Sequence, residues 1–472
     1  MEKSDIGLIG LAVMGENLVL NMENKGFKVS VYNRTGEVTK KFAEDKAKGK
    51  NIRPYYNLGE FADSLASPRR VMLMVKAGEA VDSIIDQLLP ILSPGDIIID
   101  GGNSFYKDTD RRVRYVEAKG LFYIGTGISG GEEGALKGPS IMPGGSKEAW
   151  PHLKPIFMNI AAKADDGTAC CEWIGPGGAG HFVKMVHNGI EYADMQLISE
   201  VYFLLKRLYK KNNDEIGSYF RSYNEGKLKS YLMEITAEIL KHKDKSGGYV
   251  LDTILDAAGQ KGTGRWTVSS AMELGVPLNI IATAVFERAI SSLTELRDNG
   301  EYIYQRKLHT GYLEEPDEVF NAMYCSKVAS YSQGFDLMER ASGEYGWGLD
   351  LADVARIWRN GCIIRSVFLD DIAKTFEEKK SDNTLLLSPL FVEEIDKHID
   401  IWKEVVSDAI SAGLSLPVMS ASLNYFFSLT TKRSPANLLQ AQRDYFGAHT
   451  FERIDKPRGE LYHEDWINQE QE

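Results

Sequence analysis

The first third of the chain alternates short apolar runs with amphipathic stretches. The run Ile6–Ile9 leads into a turn at residues 10–15, after which apolar residues recur at helical spacing up to about Lys25. A second apolar run, at residues 28–33, completes a strand–helix–strand unit. Further runs that end in glycine or serine follow up to Gly145. Repeated alternation of this kind predicts an N-terminal, doubly wound α/β sheet of the Rossmann-like type.

Beyond Gly180 the apolar positions follow a helical period nearly to the end of the chain, which predicts a large all-α domain. Two stretches about 135 residues apart, beginning at Phe220 and Ala355, resemble each other and indicate an internal duplication. From Ala441 onward the chain is polar, aromatic and interrupted by Gly and Pro, as expected of a tail that lies on another subunit. We therefore predict three parts, at residues 1–178, 179–436 and 437–472.

The turn after the first strand has the pattern G-x-A-x-x-G. Its residues are Gly10, Leu11, Ala12, Val13, Met14 and Gly15. Gly10 permits the tight turn, Ala12 lets a pyrophosphate approach the backbone, and Gly15 lets the helix pack on the strand. The anion would sit at the free N–H groups of the helix N-terminus. This context predicts a dinucleotide site, the alternative being a tight turn without a ligand.

The end of the second strand distinguishes the two nicotinamide cofactors. An NAD site usually has Asp or Glu there, which accepts hydrogen bonds from the ribose hydroxyls. This chain has Asn33, Arg34 and Thr35 instead, and the Arg34 guanidinium suits a 2′-phosphate. NADP is therefore predicted in preference to NAD, unless the missing acid comes from elsewhere in the chain.

Three later turns should lie at the same edge of the sheet, since parallel strands place their ligands at their carboxyl ends. These turns contain Lys76, Asn103 and the sequence Ser129-Gly130-Gly131. Successive N–H groups in a Ser-Gly-Gly turn can bind one anion, for example a carboxylate. Each turn taken alone is equally compatible with a plain connection between elements.

A second G-x-G-x-x-G pattern begins at Gly175 and by itself suggests another dinucleotide site. The residues after it argue against this, because no second strand returns after a short helix. Apolar residues instead continue at helical spacing towards Lys206, at Val183, Val186, Ile190, Ala193 and Leu197. We interpret the glycine run as the junction between the α/β domain and a long helix.

The polar side of this long helix carries Lys184, His187, Asn188 and Glu191 within an arc of about 100°. Such a stripe is most often a face turned to solvent. Ordinary solvent faces are rich in Glu and Lys, however, and this one includes His and Asn close to the predicted ligand edge of the sheet. The four residues are therefore candidates for a catalytic cluster that contacts a bound molecule.

Composition limits the class of protein. The net charge of −12 argues against nucleic acid or an anionic membrane as the main partner, and an anionic substrate would need local cations. The cysteines Cys170, Cys171, Cys325 and Cys362 suggest no disulfide framework, which fits a reducing compartment. No signal peptide and no membrane-spanning apolar run is visible in the sequence. A cytoplasmic protein is predicted.

Nine motifs, in consistent order along the chain, resemble those of the 6-phosphogluconate dehydrogenase family. They are GLAVMG, YNRT, DGGNS, GISGGEEGA, GPSIMPGG, GPGGAGHFVKMVHNGIEY, GQKGTGRW, FERA and QRDYFGAH. The resemblance implies oxidative decarboxylation of 6-phosphogluconate to ribulose 5-phosphate and CO₂, with reduction of NADP, in the oxidative branch of the pentose phosphate pathway. It also implies a homodimer with shared active sites.

The same resemblance assigns residues to each ligand. NADP would contact residues 10–15, Asn33, Arg34, Thr35, Val75, Lys76, Ala77 and Asn103. The carboxylate and hydroxyls of the substrate would meet Asn103, Ser129, Gly130, Gly131, His187 and Asn188. Its phosphate would meet Tyr192, Lys261, Arg288, Arg443 and His449, the last two from the tail of the other subunit. Without the resemblance, Arg288 reads as an intrahelical ion-pair partner, Lys261 as a loop cation, and the last two as tail residues without a role.

The implied chemistry needs two groups in unusual proton states. A neutral Lys184 would take the proton of the 3-hydroxyl as hydride leaves C3, and as an ammonium it would polarise the ketone during loss of CO₂. A protonated Glu191 would then deliver a proton to C1 of the enediol. Burial lowers the pKa of a lysine and raises that of a glutamate, so one apolar pocket would prepare both groups.

Many β-decarboxylating dehydrogenases use a divalent metal ion to polarise the ketone. The sequence shows no compact carboxylate or His/Cys cluster with ligand spacing, so no metal requirement is predicted. Two alternatives remain, a β-hydroxyacid dehydrogenase that does not decarboxylate and an NADP-binding sensor without turnover. The sugar-phosphate cations, the long helical part and the tail count against the first alternative. The presence of both Lys184 and Glu191 counts against the second.

Overall fold

The computed structural model describes residues 2–305, 316–378 and 384–466. The chain divides into two compact units, with the boundary between Ser422 and Leu423. Of the predicted tail at residues 437–472, the last six residues lie outside the described ranges. The first unit contains a sheet followed by a long series of helices.

Seven short segments form one sheet. They are β1 (Ile6–Ile9), β2 (Val29–Tyr32), β3 (Ile52–Tyr55), β4 (Arg70–Leu73), β5 (Ile97–Asp100), β6 (Phe122–Ser129) and β7 (Ser140–Gly145). Their order across the sheet is β3-β2-β1-β4-β5-β6-β7, and all pairs are parallel except β6 with β7. The strand order switches sides between β1 and β4, the position at which a doubly wound sheet binds its ligand. The predicted Rossmann-like sheet is confirmed.

Helices connect the strands and cover both faces of the sheet. They are α1 (Val13–Asn24), α2 (Gly36–Glu44), α3 (Leu58–Asp63), α4 (Glu79–Leu88), α5 (Tyr106–Glu117), α6 (Gly131–Lys137) and α7 (Trp150–Ile160). One core lies under α1 and α7, and a second lies under α3, α4 and α5. Along β5, Ile97 and Ile99 enter the first core and Ile98 the second. A strand buried on both faces is apolar throughout, which explains the continuous runs in the sequence.

Two features of the sheet depart from the simple alternation that the sequence predicts. No apolar run marks β3, because its residues Ile-Arg-Pro-Tyr are mostly half-buried at the sheet edge. β7 follows β6 through the seven residues of α6, a connection too short for a parallel crossover, so β7 returns antiparallel.

The remainder of the first unit is helical, as predicted. Its helices are α8 (Ala179–Arg207), α9 (Asn213–Tyr223), α10 (Tyr231–Lys241), α11 (Thr263–Leu274), α12 (Asn279–Ser291), α13 (Thr294–Tyr304), α14 (Glu318–Tyr345), α15 (Leu351–Ile357), α16 (Phe368–Glu377) and α17 (Pro389–Ser411), with α18 (Pro417–Thr430) beginning at its end. The long helix predicted to run towards Lys206 is α8, and it packs along α14.

The order of one long helix and two shorter ones occurs twice, in α8–α10 and in α14–α16. The two similar stretches of sequence lie at the same places in these two groups, around the second and third helices. Ser230 and Ser366, which precede α10 and α16, form an antiparallel bridge with each other. This helix order is the one expected of an internal duplication.

Glu200 ties the C-terminal half of α8 to the start of α18. Its carboxylate accepts hydrogen bonds from the backbone N–H groups of Val418 and Met419, each at 2.9 Å. Burial raises the pKa of Glu200 to about 7, against the effect of these two donors. The contact provides partners for N–H groups that the first turn of a helix otherwise leaves unpaired.

The second unit contains α19 (Ala436–Gly447) and the segment after it. The buried carboxylate of Asp444 accepts hydrogen bonds from the N–H groups of Thr450 and Glu464 and from the indole of Trp466. One side chain therefore holds several turns of the chain in place. The aperiodic sequence after Ala441 did not predict that a helix extends into this region.

All four cysteines are buried free thiols. In the parts of the chain that the structure describes, every helix is too short or too polar to span a bilayer.

Candidate active site

The turn after β1 requires glycine at two positions. Gly10 has a φ of +107°, and a Cβ atom there would lie 2.4 Å from the carbonyl oxygen of Met74. A Cβ atom on Gly15 would lie 2.0 Å from the carbonyl oxygen of Gly10. These short distances let α1 begin directly at the end of β1, so the free N–H groups of its first turn face the edge of the sheet.

A cleft of about 260 Å³ opens beside this turn. The predicted cofactor residues among those lining it are Gly10, Asn33, Arg34, Thr35, Val75 and Lys76. The Asn33 side chain connects two of the loops, since it accepts a hydrogen bond from the Leu11 N–H and donates one to the Thr35 carbonyl, both at 3.1 Å. The cations Arg34 and Lys76 are exposed at the cleft. Ala12, Val13 and Met14 lead from the turn into α1, and Ala77 follows Lys76.

α8 packs unusually close to the sheet because glycines lie on both sides of the contact, one on β6 and one on α8. A Cβ atom on Gly127 of β6 would lie 2.4 Å from the Cβ atom of Lys184. A Cβ atom on Gly180 of α8 would lie 2.6 Å from the carbonyl oxygen of Gly125. The second glycine run therefore serves close packing at the junction, as interpreted from the sequence, and it places Lys184 against β6.

Three polar residues of the α8 stripe, Lys184, His187 and Asn188, are hydrogen-bonded to one another, and Glu191 lies beside them. Lys184 Nζ donates to Asn188 Oδ1 at 2.6 Å and lies 3.2 Å from His187 Nδ1. On its other side, His187 Nε2 lies 3.2 Å from Ser129 Oγ, and Glu191 Oε2 is 3.8 Å from His187 Nδ1. Lys184 and His187 are buried, and Asn188 and Glu191 are half-buried. The stripe is therefore not a face turned to solvent.

Burial controls the proton affinities of this cluster. It lowers the pKa of Lys184, against the effect of Glu191. Burial, assisted by Lys184, lowers the pKa of His187 well below its usual value. Burial also raises the pKa of Glu191, against the effects of Lys184 and Arg288. The amine and the carboxyl are thus both shifted toward their uncharged forms, the directions that the sequence-based mechanism requires.

Two tautomers satisfy the contacts of His187. In one, Nδ1–H donates to Asn188 Oδ1 at 3.1 Å and Nε2 accepts from the Ser129 hydroxyl; in the other, Nδ1 accepts from Lys184 Nζ at 3.2 Å and Nε2–H donates to Ser129 Oγ. Both need a neutral ring, which the lowered pKa provides. His187 thereby connects the Ser129-Gly130-Gly131 turn to Lys184. Gly130 cannot be replaced there, because its φ is +128° and a Cβ atom would lie 2.6 Å from the Gly361 carbonyl oxygen.

A small cavity beside Lys184 is lined both by predicted site residues and by residues that were not predicted from the sequence. It is lined by Asn103, Ser104, His181, Lys184, Met185, Asn188, Thr263 and Trp266. His181 Nδ1 lies 2.7 Å from Thr109 Oγ1, while Nε2 is buried without a hydrogen-bond partner among the described residues. The spacing of three residues between His181 and Lys184 was a signal that could have identified it. Thr263 and Trp266 carried no signal beyond their motif.

Arg288 contacts Tyr192 and the loop that carries Lys261, the other two predicted phosphate-binding residues of the first unit. Its guanidinium carbon lies 3.4 Å from the centroid of the Tyr192 ring, in a cation–π contact. Nη1 donates to the carbonyl of Gly259 at 3.3 Å, two residues before the exposed Lys261. Arg443 and His449 are exposed residues of the second unit.

Within residues 2–305, 316–378 and 384–466, no three His, Cys, Asp or Glu side chains gather in a way that could hold a metal ion. The polar groups near the cavity are an amine, two imidazoles, a carboxyl, hydroxyls and carboxamides. An amine and a carboxyl with opposite pKa shifts can exchange protons with one bound molecule.

A cleft beside a glycine turn at the switch point of the sheet, together with a buried amine and a half-buried carboxyl on α8, is typical of one class of protein, the nicotinamide-dependent dehydrogenases. Two family models match the chain and identify its family within this class. The one described as the NAD binding domain of 6-phosphogluconate dehydrogenase matches residues 5–175, and the one described as the 6-phosphogluconate dehydrogenase C-terminal domain matches residues 180–466. The chain belongs to the 6-phosphogluconate dehydrogenase family.

The chain is also similar along nearly its whole length to individual members of this family. The chain is 50% identical to the decarboxylating 6-phosphogluconate dehydrogenase of Treponema pallidum, over 98% of this chain and 97% of that protein. It is 49% identical to the mouse protein of the same name, over 99% and 97%. The structure of Plasmodium falciparum 6-phosphogluconate dehydrogenase, solved in its apo form, with NADP⁺ and with 6-phosphogluconate, superimposes with a TM-score of 0.94 at 44% identity, over 98% of this chain and 100% of that one.

Proposed function

We propose that the protein catalyses the oxidative decarboxylation of 6-phosphogluconate to ribulose 5-phosphate and CO₂, with reduction of NADP to NADPH. The observation that carries this proposal is the buried cluster on α8, in which Lys184 and Glu191 are both shifted toward the uncharged form. The substrate and cofactor are supported by the Plasmodium falciparum relative, whose structure was solved with both molecules.

The cleft beside β1 would hold NADP, which supplies the hydride acceptor when bound. The first turn of α1 would receive the pyrophosphate at its free N–H groups, because Gly10 and Gly15 leave room for close approach. Arg34 and Lys76 would provide positive charge for the 2′-phosphate end. Asn103 lines the cavity at Lys184 and follows β5, which lies two strands from β1 in the sheet, so we assign it contacts with both ligands.

The substrate would lie along α8. Its carboxylate and hydroxyls would contact Ser129, Gly130, Gly131, His187 and Asn188. His187 and Asn188 contact the Lys184 amine, and His187 joins them to the turn at Ser129. Tyr192, Lys261 and Arg288 would receive the phosphate at the other end. Tyr192 follows Lys184 by just over two turns of α8, so one helix can contact both ends of an extended sugar acid.

In the proposed reaction Lys184 accepts the proton of the 3-hydroxyl while hydride leaves C3. The resulting ammonium then donates a proton to the ketone oxygen as CO₂ departs, which gives the enediol; the buried site of low dielectric strengthens this interaction. Glu191 donates a proton to C1 while the enol hydroxyl returns its proton to the Lys184 amine, which yields ribulose 5-phosphate. Transfer of a proton from the ammonium to the Glu191 carboxylate restores both groups. His187 and Asn188 hold the Lys184 amine in place before the substrate arrives.

We infer that the active unit is a homodimer in which Arg443 and His449 of the second copy complete the phosphate site. Exposed apolar surface on the first unit supports this inference. α13 buries none of its residues, and Leu296, Tyr302, Ile303 and Tyr304 on it are exposed. Phe286 and Met272 extend the exposed apolar surface to neighbouring helices. Apolar patches of this kind commonly mark interfaces between subunits.

Shared sites predict complementation between two inactive variants. Lys184→Ala and Arg443→Ala subunits, each inactive alone, should regain about a quarter of wild-type activity when refolded together at equal amounts. Half of the random dimers would be mixed, and each mixed dimer would hold one site with both residues intact. The steady-state rate of NADPH formation measures the recovered activity. Lys184→Ala protein refolded alone is the control. Recovery below a few per cent, with mixed dimers present, would exclude the shared site.

One assay tests the proposed function directly. Absorbance of the reduced nicotinamide should rise with 6-phosphogluconate and NADP, and far less with NAD, because Arg34 favours the 2′-phosphate. CO₂ should appear in equal amount, and excess chelator should leave the rate unchanged. NADPH without CO₂ would indicate the non-decarboxylating alternative, and NADP binding without turnover would indicate a sensor. Loss of activity in chelator that Mg²⁺ restores would refute metal independence.

We place the protein in the cytoplasm. Its four buried free thiols fit a reducing compartment, and the oxidised nicotinamide that the proposed reaction consumes is a soluble metabolite. Fractionation of source cells would test this placement.

A further inference from the structure

Arg112, on the inner face of α5, is fully buried and contacts two loops at the edge of the sheet. Toward the first loop, Nε donates to Asp82 Oδ1 at 2.8 Å and Nη2 to Asp82 Oδ2 at 3.1 Å. Nη2 also donates to the carbonyl oxygen of Gly78 at 3.0 Å. The planar guanidinium therefore holds the start of α4 and the loop before it in one orientation.

The same guanidinium faces the loop after β5. Its Nη1 lies 3.5 Å from Asp100 Oδ2 and 3.4 Å from Ser104 Oγ. Asp100 is itself fully buried, and it accepts hydrogen bonds from Ser104 Oγ at 2.6 Å and from the Gly102 N–H at 3.0 Å. Tyr123 OH donates to Asp100 Oδ2 at 3.0 Å, which completes the carboxylate's partners.

These two loops carry the residues that face the two ligands. Lys76, two residues before Gly78, lines the nucleotide cleft. Asn103 and Ser104 line the cavity beside Lys184. A single buried cation thus lies between a loop of the cofactor site and a loop of the catalytic cavity. It contacts one carboxylate beside each loop, Asp82 in the first turn of α4 and Asp100 at the end of β5.

We propose that Arg112 is a positioning residue that sets the spacing of the cofactor loop relative to the substrate loop before either ligand binds. The inference rests on the proposed function for the identity of the ligands, and on the contacts above for the geometry. Two rigid carboxylate contacts on opposite sides of one planar group define a distance that a flexible lysine ammonium cannot reproduce. Preorganised loops bind ligands more tightly, because less ordering is left to occur on binding.

The chain offers a matched control in the neighbouring residue. Arg111 donates to the same Asp82 carboxylate, at 2.9 and 3.0 Å, but from the solvent side. Its side chain is half exposed, whereas that of Arg112 is fully buried. Arg111→Met removes one cation from Asp82 without touching the loop after β5.

The test compares Arg112→Lys, Asp82→Asn and Arg111→Met in the full-length protein. We expect Arg112→Lys and Asp82→Asn to weaken NADP binding and to raise KM for 6-phosphogluconate by about tenfold each, with kcat changed much less. Arg111→Met should change neither constant by more than about twofold. In the ligand-free protein, amide hydrogen exchange in residues 76–82 and 101–104 should be faster in the first two variants than in Arg111→Met.

A merely structural role would give a different result. It would lower the thermal midpoint and the fraction of active protein, while the NADP dissociation constant and KM of the folded molecules stayed within about twofold of those of Arg111→Met. That outcome, or unchanged exchange in both loops of Arg112→Lys, would overturn the proposal. If wild-type protein did not turn over 6-phosphogluconate, the proposed function would fail instead, and the exchange comparison would still decide the role of Arg112.

Discussion

Replacement of Lys184 by alanine is expected to lower kcat by about 10³- to 10⁴-fold while NADP binds with unchanged affinity. Lys184 is buried against Gly127, next to His187 and Asn188, and its lowered pKa prepares it to accept a proton. The neighbouring His187 is a poor substitute base, because burial lowers its pKa well below the usual value. Stopped-flow absorbance of NADPH would measure the turnover rate. Quenching of tryptophan fluorescence by added NADP would measure the NADP affinity.

Two further variants make this test specific. Lys206→Ala removes a lysine from the end of the same helix, where it donates to Asn213 at 2.7 Å, and should leave kcat near the wild-type value. Lys184→Arg keeps the positive charge but cannot give up a proton near neutral pH, so it should be as slow as Lys184→Ala. Turnover of Lys184→Ala within about tenfold of wild type would remove Lys184 as the base.

Replacement of Glu191 by glutamine should reduce steady-state kcat by about 10²- to 10³-fold and should spare the first hydride transfer. Glutamine has the shape of the protonated carboxyl but cannot donate its proton to C1 of the enediol. Hydride leaves C3 before that step, so NADPH formed in the first turnover should remain fast. A single-turnover experiment with excess enzyme separates the two rates, and equal loss in both would contradict the assignment.

The pH dependence of kcat provides a second test of the role of Glu191. Burial raises its pKa, and the residue acts in its protonated form, so kcat of the wild type should fall as pH rises through that pKa. Glu191→Gln should lack this fall, because its amide does not titrate. Glu200→Gln is the matched control, since Glu200 lies on the same helix and also has a raised pKa, but contacts the backbone of Val418 and Met419 instead of the site. Its kcat profile should match that of the wild type.

The features predicted correctly from the sequence are those encoded by neighbouring residues. The first strand, turn and helix follow from Ile6–Ile9 and the glycines at 10 and 15, because short-range sterics decide a tight βα turn. α8 follows from a repeat of apolar residues with the helical period. The stripe of Lys184, His187, Asn188 and Glu191 follows from the same period, since helix geometry alone places these residues on one side.

Whether that stripe faced solvent or a ligand could not be decided from the helix. The answer depends on Gly127 and Gly180, which let β6 and α8 approach closely enough to bury Lys184. The grouping of Arg288 with Tyr192 and the loop of Lys261 likewise rested on family resemblance, because these residues lie on separate elements. Arg112 was missed because nothing in its immediate sequence distinguishes it from an ordinary polar residue. His181 and Asp100 lie within recognisable motifs, but only the tertiary packing shows that both side chains are buried.

The sequence by itself determined the order and type of most elements, the glycine turn and the composition of one helix face, since each depends on contacts within a few residues along the chain. Only the tertiary structure decided which polar groups are buried together, and therefore which proton states they favour. Burial is a property of segments far apart in sequence, such as β6 and α8, and the pKa shifts of Lys184 and Glu191 arise from that packing.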